Sequence, residues 1–306
     1  MMKLQARLTL PSVLAAGTRI FGLADLDHRP AVRLSDIHVD KLSGMHIRSL
    51  GYRTDLMIRS LEGSQVDDRG DYLVIRTPGN PSYWWGNFLL LQSPPQPGEA
   101  GSWLATFSIE FPHAKHVALG IDVTHASAVE ITEMASHGLR PEQTAVMTAR
   151  EVNAPPHLNP AAEIRALAGD DDWRQAAGLQ TAVTQGEPGS EPAFLQARIQ
   201  AERAMTEAGY GTWFGAFLDG KLVAQLGLVI DGSGVARYQN VETHPQARRQ
   251  GLAGTLVWHA GQHALRSGAA AKLVMLADPG DSAIRIYRSV GFTVTETQLG
   301  FARQPA

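Results

Sequence analysis

An α/β fold built from two like halves is what this chain of 306 residues predicts. Short apolar or β-branched runs alternate with stretches of helical spacing along nearly its whole length. A second observation is that the chain echoes itself. Asn87 and Asn240, Gly98 and Gly251, Ala100 and Ala253, and Gly101 and Gly254 each lie 153 apart, as do Gly138 and Gly291, and Arg150 and Arg303. Between these, Lys115 and Lys272, with Val117 and Val274, lie 157 apart, a drift of about one helical turn. The third is a run with three prolines in eight residues, Asn153-Ala154-Pro155-Pro156-His157-Leu158-Asn159-Pro160, between the echoing halves. Identities in the same order as the elements point to duplication. The expected division is an unassigned segment 1–30, a first domain 31–152, a linker 153–160 and a second domain 161–306.

In the first half, Leu42 to Leu61 reads as helical in part, broken by Gly51. Tyr72 to Ile75 reads as a strand closed by the turn Thr77-Pro78-Gly79-Asn80-Pro81, and Trp84 to Leu91 as a second, strongly apolar strand. Trp103, Phe107 and Phe111 make one aromatic stripe of a short helix. Val117 to Val123 reads as a buried strand, Ala126 to His137 as a helix and Thr144 to Arg150 as a strand.

The second half repeats the pattern. Ala162 to Leu167 reads as a strand, Asp170-Asp171-Asp172-Trp173 opens a helix with acid at its positive end, and a loop at Gly186 to Pro192 precedes a helix from Ala193 to Ala208. Thr212 to Leu218 and Leu222 to Ile230 form a hairpin about Asp219-Gly220. Ala236 to Thr243 is a strand, Leu252 to Ser267 a helix, Lys272 to Ala277 a strand, Ser282 to Val290 a helix and Phe292 to Phe301 a last extended stretch.

Composition narrows the function. Hydrophobic residues make up 44% and charged residues 19%, as in a globular protein. A net charge of −3 gives no electrostatic case for nucleic acid or an anionic membrane. No cysteine is present, which excludes disulfides, thiol nucleophiles and thiolate metal sites. No run approaches the ~18 apolar residues of a membrane helix. The apolar stretch between Lys3 and Gly17 is interrupted by Pro11 and followed by Arg19, so it reads as no signal peptide, and a cytoplasmic protein is expected.

One turn carries visible chemistry. After Val241, Glu242 and Thr243, Pro245 stops the strand, and Arg248-Arg249-Gln250-Gly251-Leu252-Ala253-Gly254 opens a helix. The first N–H groups of a helix lack partners and, with the helix dipole, seat a phosphate. Gly251 lets an anion approach the backbone, and two arginines add forked donors. An ordinary turn with solvated arginines fits the short motif as well. In the first half the counterparts of Arg248, Arg249 and Gln250 are Pro95, Gln96 and Pro97, and those of Glu242 and Tyr287 are Leu89 and Met134. Only the second half is equipped for an anion.

Residues 160 to 303 resemble the GNAT superfamily of acetyl-CoA-dependent N-acetyltransferases. Arg248-x-x-Gly251-x-Ala253 fits that family's pyrophosphate loop, Val241-x-Thr243-x-Pro245 its fourth strand, and Tyr287-x-x-x-Gly291-Phe292 its second motif. The resemblance implies tandem domains, each a mixed, mostly antiparallel twisted sheet flanked by helices and splayed between strands 4 and 5, the first a degenerate copy. It further implies acetyl-CoA as cosubstrate, held at Val241 and Thr243 along the pantetheine and at Arg248, Arg249, Gln250, Gly251, Leu252, Ala253 and Gly254 around the pyrophosphate, with no metal. An amine, of a small molecule or a peptide, attacks the thioester directly. Tyr287 is implied as the general acid. Glu242 is a candidate base, with Tyr238 and Asn240 expected on its side of the strand. The family often places an asparagine early in the second motif; Asp278, Gly280 and Ser282 stand there instead, and Ser282 is expected to cap the helix and touch the cofactor. A CoA-binding module without turnover is the alternative. His259 and His263 read as a helix-face pair rather than metal ligands, Trp84-Trp85 and Trp213-Phe214 read as core, and no Gly-x-Ser-x-Gly elbow is present.

Overall fold

The computed structural model describes residues 46–80, 83–185 and 192–304. The segment 1–30, the Leu42 end of the first expected helix, Pro81 and most of the 186–192 loop lie outside the described residues. Among the described residues, eleven strands form one sheet in the order β1-β2-β3-β4-β11-β5-β10-β9-β8-β7-β6. The first half supplies α1 (Leu50–Leu61), β1 (Gln65–Asp68), β2 (Tyr72–Arg76), β3 (Phe88–Leu91), α2 (Ala100–Glu110), β4 (Val117–Ile121), α3 (Ala128–Ser136) and β5 (Arg140–Ala149). The second supplies β6 (Glu163–Ala166), α4 (Gly169–Thr184), α5 (Pro192–Glu207), β7 (Gly211–Leu218), β8 (Lys221–Ile230), β9 (Val235–Thr243), α6 (Leu252–Arg266), β10 (Lys272–Ala277), α7 (Ala283–Ser289) and β11 (Thr293–Arg303). No helix among the described residues is long and apolar enough to cross a membrane.

The halves exchange their last strands. β11 lies between β4 and β5 of the first half, while β5 lies between β11 and β10 of the second. At the centre of the β5–β11 ladder Thr297 faces Ala145 and Gln298 faces Thr144. Under the 153-residue offset, Thr144 and Thr297 are counterparts, as are Ala145 and Gln298. The two copies are thus related by a pseudo-twofold axis through this ladder, which is what a duplicated chain gives when like strands pair antiparallel. The sheet is continuous across residues 153–160. That stretch is not a free tether: the Asn153 N–H donates to Val290 O at 2.9 Å, and Gln262 Nε2 donates to Val152 O at 3.1 Å.

Apolar clusters on both faces hold the layers. On one face α6 and α7 cover β8, β9 and β10 through Leu252, Leu256, Tyr287 and Phe292, and α2 and α3 cover β3, β4 and β11 through Phe107, Met134 and Phe301. On the other, α4 and α5 pack through Trp173 and Ile199, and α1 straddles both halves. Four local expectations change. Gly51 does not break a helix; it sits in the first turn of α1, and an added Cβ there would lie 2.1 Å from Gln298 Oε1. Trp84–Leu91 is not one strand: Trp84–Gly86 is a 3₁₀ turn whose indoles stack on His116 and donate to Glu142, and only Phe88–Leu91 extends. Phe111 caps α2 rather than continuing its stripe, and β1 is an additional strand. β5 and β11 also run longer than their apolar cores, because pairing with each other extends them.

Residues 161–306 expressed alone would lack β5, and β11 would lose both neighbours. The expected outcome is an aggregated or unfolded chain by gel filtration and circular dichroism; a cooperatively melting monomer would contradict the exchange.

Candidate active site

β9 and β10 run parallel but pair only from Val235–Lys272 to Arg237–Val274. Beyond that β10 continues beside β5 to Ala277 and β9 beside β8 to Thr243, so a gap opens between them. The counterparts β3 and β4 stay paired through Leu91–Ile121, and Asp122 N–H closes further onto Leu91 O at 2.8 Å. Among the described residues, the second half has this opening and the first does not.

A bulge shapes the β9 wall. Two β9 residues, Asn240 and Val241, stand opposite the single Leu226 of β8, and Asn240 adopts φ +49°. The extra residue re-aims the side chains. Tyr238 points to the α6 face, where its hydroxyl donates to Val257 O at 2.9 Å. Asn240 and Glu242 point to the α5 face, so the expectation that all three share a side is corrected. The His244 N–H returns to Val223 O on β8. Alternation from that bond turns the backbone groups of Thr243 away from β8, into the gap. The Thr243 carbonyl accepts from Arg248 Nε at 3.3 Å.

At the mouth of the gap, Pro245–Ala247 makes one 3₁₀ turn and α6 starts at Leu252. Arg249 (φ +63°) and Gly251 (φ +75°) are left-handed, which curls the backbone into a concave nest. Among the described residues, no group accepts from the N–H groups of Arg249, Gln250, Gly251, Leu252, Ala253 or Gly254. The proline-rich connector braces this turn from behind. An added Cβ at Gly251 would lie 2.2 Å from His157 O, Asn159 Nδ2 donates to Gln250 O at 2.9 Å, and Asn159 N–H donates to Thr255 Oγ1 at 2.9 Å. The first half fills the same place with its own acid: Gly98 N–H donates to Glu133 at 2.9 Å and Gln96 N–H to Glu99 at 2.8 Å.

Tyr287 is buried in the same apolar cluster as Ala247 and Leu252. Burial holds its hydroxyl protonated well above the ordinary range, with the Asp281 charge adding to the effect. Ser282 does not cap α7. Its hydroxyl donates to Asp281 at 3.2 Å, and Asp281 itself takes the Ala283 N–H at 2.9 Å. His259 and His263 set their rings edge-on against Phe214, and among the described residues no group of three metal-binding side chains occurs.

Glu242 is not a free carboxylate. Arg198 Nη2 donates to it at 2.6 Å and Gln225 Nε2 at 2.7 Å. The same guanidinium reaches Glu202 through Nε at 3.1 Å, and Glu202 also accepts from Asn240 and Gln180, each at 2.7 Å. Glu202 is fully buried, and burial with the nearby Glu242 charge outweighs Arg198 to push its pKa up to about 7. The sequence alone leaves Glu202 open between a solvated glutamate and one that attracts a cation, and gives Arg198 no role. Their only signal is that they lie four apart, on a stripe with Leu195 and Ile199.

Residues 177–292 match the family model for the Acetyltransferase (GNAT) family. A GCN5-related N-acetyltransferase from Kribbella flavida aligns at 19% identity with a TM-score of 0.59, covering 84% of this chain and 97% of that one. One from Sphaerobacter thermophilus aligns at 18% and 0.56, covering 81% and 84%. A tandem GNAT protein from the clavulanic acid biosynthesis pathway aligns at 11% and 0.52, covering 79% and 84%. At these identities the likeness is one of fold. No curated protein matches the chain. Residues 177–292 thus carry the sequence pattern of the GNAT acetyltransferase family, and the fold of the chain is like that of GNAT proteins.

Glu62, at the end of α1, is also raised to about 7, again by burial first. Both carboxyls bind protons more tightly folded than unfolded, so their contribution to stability is complete below about pH 4.5 and is lost as pH rises through 7. Glu202→Gln is expected to flatten the fall in stability between pH 5 and 8 by on the order of 2 kcal/mol. Thermal melts across that range check it, and an unchanged slope contradicts the assignment.

Proposed function

We propose that the second half transfers an acetyl group from acetyl-CoA to a primary amine of a small molecule or peptide, by direct attack on the thioester. The observation that carries this is the opening of β9 from β10 beside a nest of unbonded N–H groups, found, among the described residues, in the second half alone. The Arg249 to Gly254 N–H groups seat the pyrophosphate with no rearrangement, and Arg248 and Arg249 add charge at its rim. The pantetheine lies along Val241 and Thr243 as an added strand, displacing Arg248 from the Thr243 carbonyl. Ser282, at the start of α7, lies beside the cofactor. The amine nitrogen forms a C–N bond as the C–S bond breaks. Tyr287 gives its proton to the departing thiolate, a role that suits a phenol kept neutral by burial. Glu242, fixed by Arg198 and Gln225, takes the proton the amine sheds, with Glu202 behind the same guanidinium stabilising the pair.

Acetyl-CoA turnover with a panel of amines tests this. Tyr287→Phe is expected to lower kcat about 100-fold with little change in KM for acetyl-CoA. Arg248→Ala with Arg249→Ala is expected to raise that KM about tenfold at unchanged kcat. Full activity in Tyr287→Phe contradicts the acid assignment, and saturable CoA binding without turnover on any amine favours the silent binding module.

A further inference from the structure

Arg237 stands where β9 leaves β10: it is the last β9 residue in register with β10, opposite Val274. Its guanidinium is buried, 6% exposed, and among the described residues takes no carboxylate from its own half. Nη1 donates to Asp55 Oδ1 at 3.0 Å and to Thr54 Oγ1 at 2.7 Å, and Nε donates to Tyr238 O at 3.2 Å. Asp55 and Thr54 both lie on α1 of the first half. The other oxygen of Asp55 accepts from Gln298 Nε2 on β11 at 2.8 Å, so one carboxylate ties β9 to the exchanged strand. Apolar contact seats α1 over the same point, with Leu50 against Val146 of β5, Val235 of β9 and Val274 of β10.

A guanidinium cannot shed its charge at physiological pH, so a buried one needs a fixed anion. Burial pulls the Arg237 pKa down, and Asp55 is the main group that pulls it back up. Without Asp55 the side chain has to swing toward water or drag β9 with it. Either movement reaches the bulge at Asn240 and the cleft edge at Val241 and Thr243, which follow directly along the strand.

We propose that Asp55 is a positioning residue for the acetyl-CoA cleft: through Arg237 it fixes the point at which β9 parts from β10. The half without an anion loop thereby sets the cleft of the half that has one. The identity of the cosubstrate rests on the function proposed above; the role of Asp55 at the vertex does not.

The test uses the full chain with Asp55→Ala, Asp55→Glu and, as control, Asp172→Ala, which breaks a comparable pair with Arg165 at the β6 edge of the sheet. Asp55→Ala is expected to weaken CoA binding at least tenfold and to speed amide exchange in 235–243 and 272–277 at least tenfold, with the acceptor KM changed less than twofold. Asp55→Glu is expected to recover most of the binding. Asp172→Ala is expected to lower Tm while leaving CoA affinity and exchange in those strands unchanged. If Asp55→Ala does not fold, the double variant Asp55→Leu with Arg237→Met removes both charges, and it is expected to melt near wild type yet still bind CoA weakly. Wild-type CoA affinity and wild-type exchange in either variant overturn the proposal, whatever its Tm. Absence of CoA binding by the unmutated chain overturns the functional reading instead, and the exchange measurement alone then decides the vertex.

Discussion

The parting of β9 from β10 after Arg237–Val274 is the constraint on which the rest of this molecule depends. Two parallel strands left unpaired would expose backbone donors and acceptors that folding cannot leave dry and unbonded. In the first half the problem does not arise, because β3 and β4 stay paired to their ends and Gly98 and Gln96 find carboxylates within the chain. In the second half the gap is walled by a bulge at Asn240, by β5 lying along the far side of β10, and by an open nest at Arg249 and Gly251. Each of these would be a defect in a structural sheet, and together they fit the slot for an extended, phosphorylated ligand that the proposed function requires.

The two halves are built into one another. Exchange of β5 and β11 makes each half's sheet incomplete alone, and α1 lays the first half's side chains under the second half's cleft. The connector at 153–160, which composition marks as a linker, is folded against the start of α6 through His157 and Asn159. Pro155 to Pro160 supply stiffness there, with few N–H groups left unsatisfied, and so brace the turn at Gly251 rather than tether two bodies.

Much of this was legible in the sequence, since its local signals are strong. Pro245, Gly251 and the helical spacing after Leu252 state the turn outright, and the 153-residue echo states the repeat. The polar network was not legible. Arg198 and Glu202 look like any exposed i, i+4 pair, and their burial comes from packing α5 onto β9. The bulge likewise has no glycine to announce it: Asn240 takes the left-handed conformation in the middle of an ordinary β pattern, which inverts the side on which Tyr238 and Glu242 were expected to meet. Strand exchange is invisible to any local rule, because β5 and β11 carry the same apolar pattern whichever half they join. Ser282 failed as a cap for a smaller reason, since Asp281 one residue earlier accepts the same kind of bond with a full charge.

The central claim is that the chain holds one acetyl-CoA cleft, built in the second half and supported by the first. Isothermal titration of the intact chain with CoA tests it most directly. The account predicts one site per chain, abolished by replacing Gly251 with a bulky residue and indifferent to substitution at Gly98. A stoichiometry of two, or a single site lost on substitution at Gly98, would contradict it.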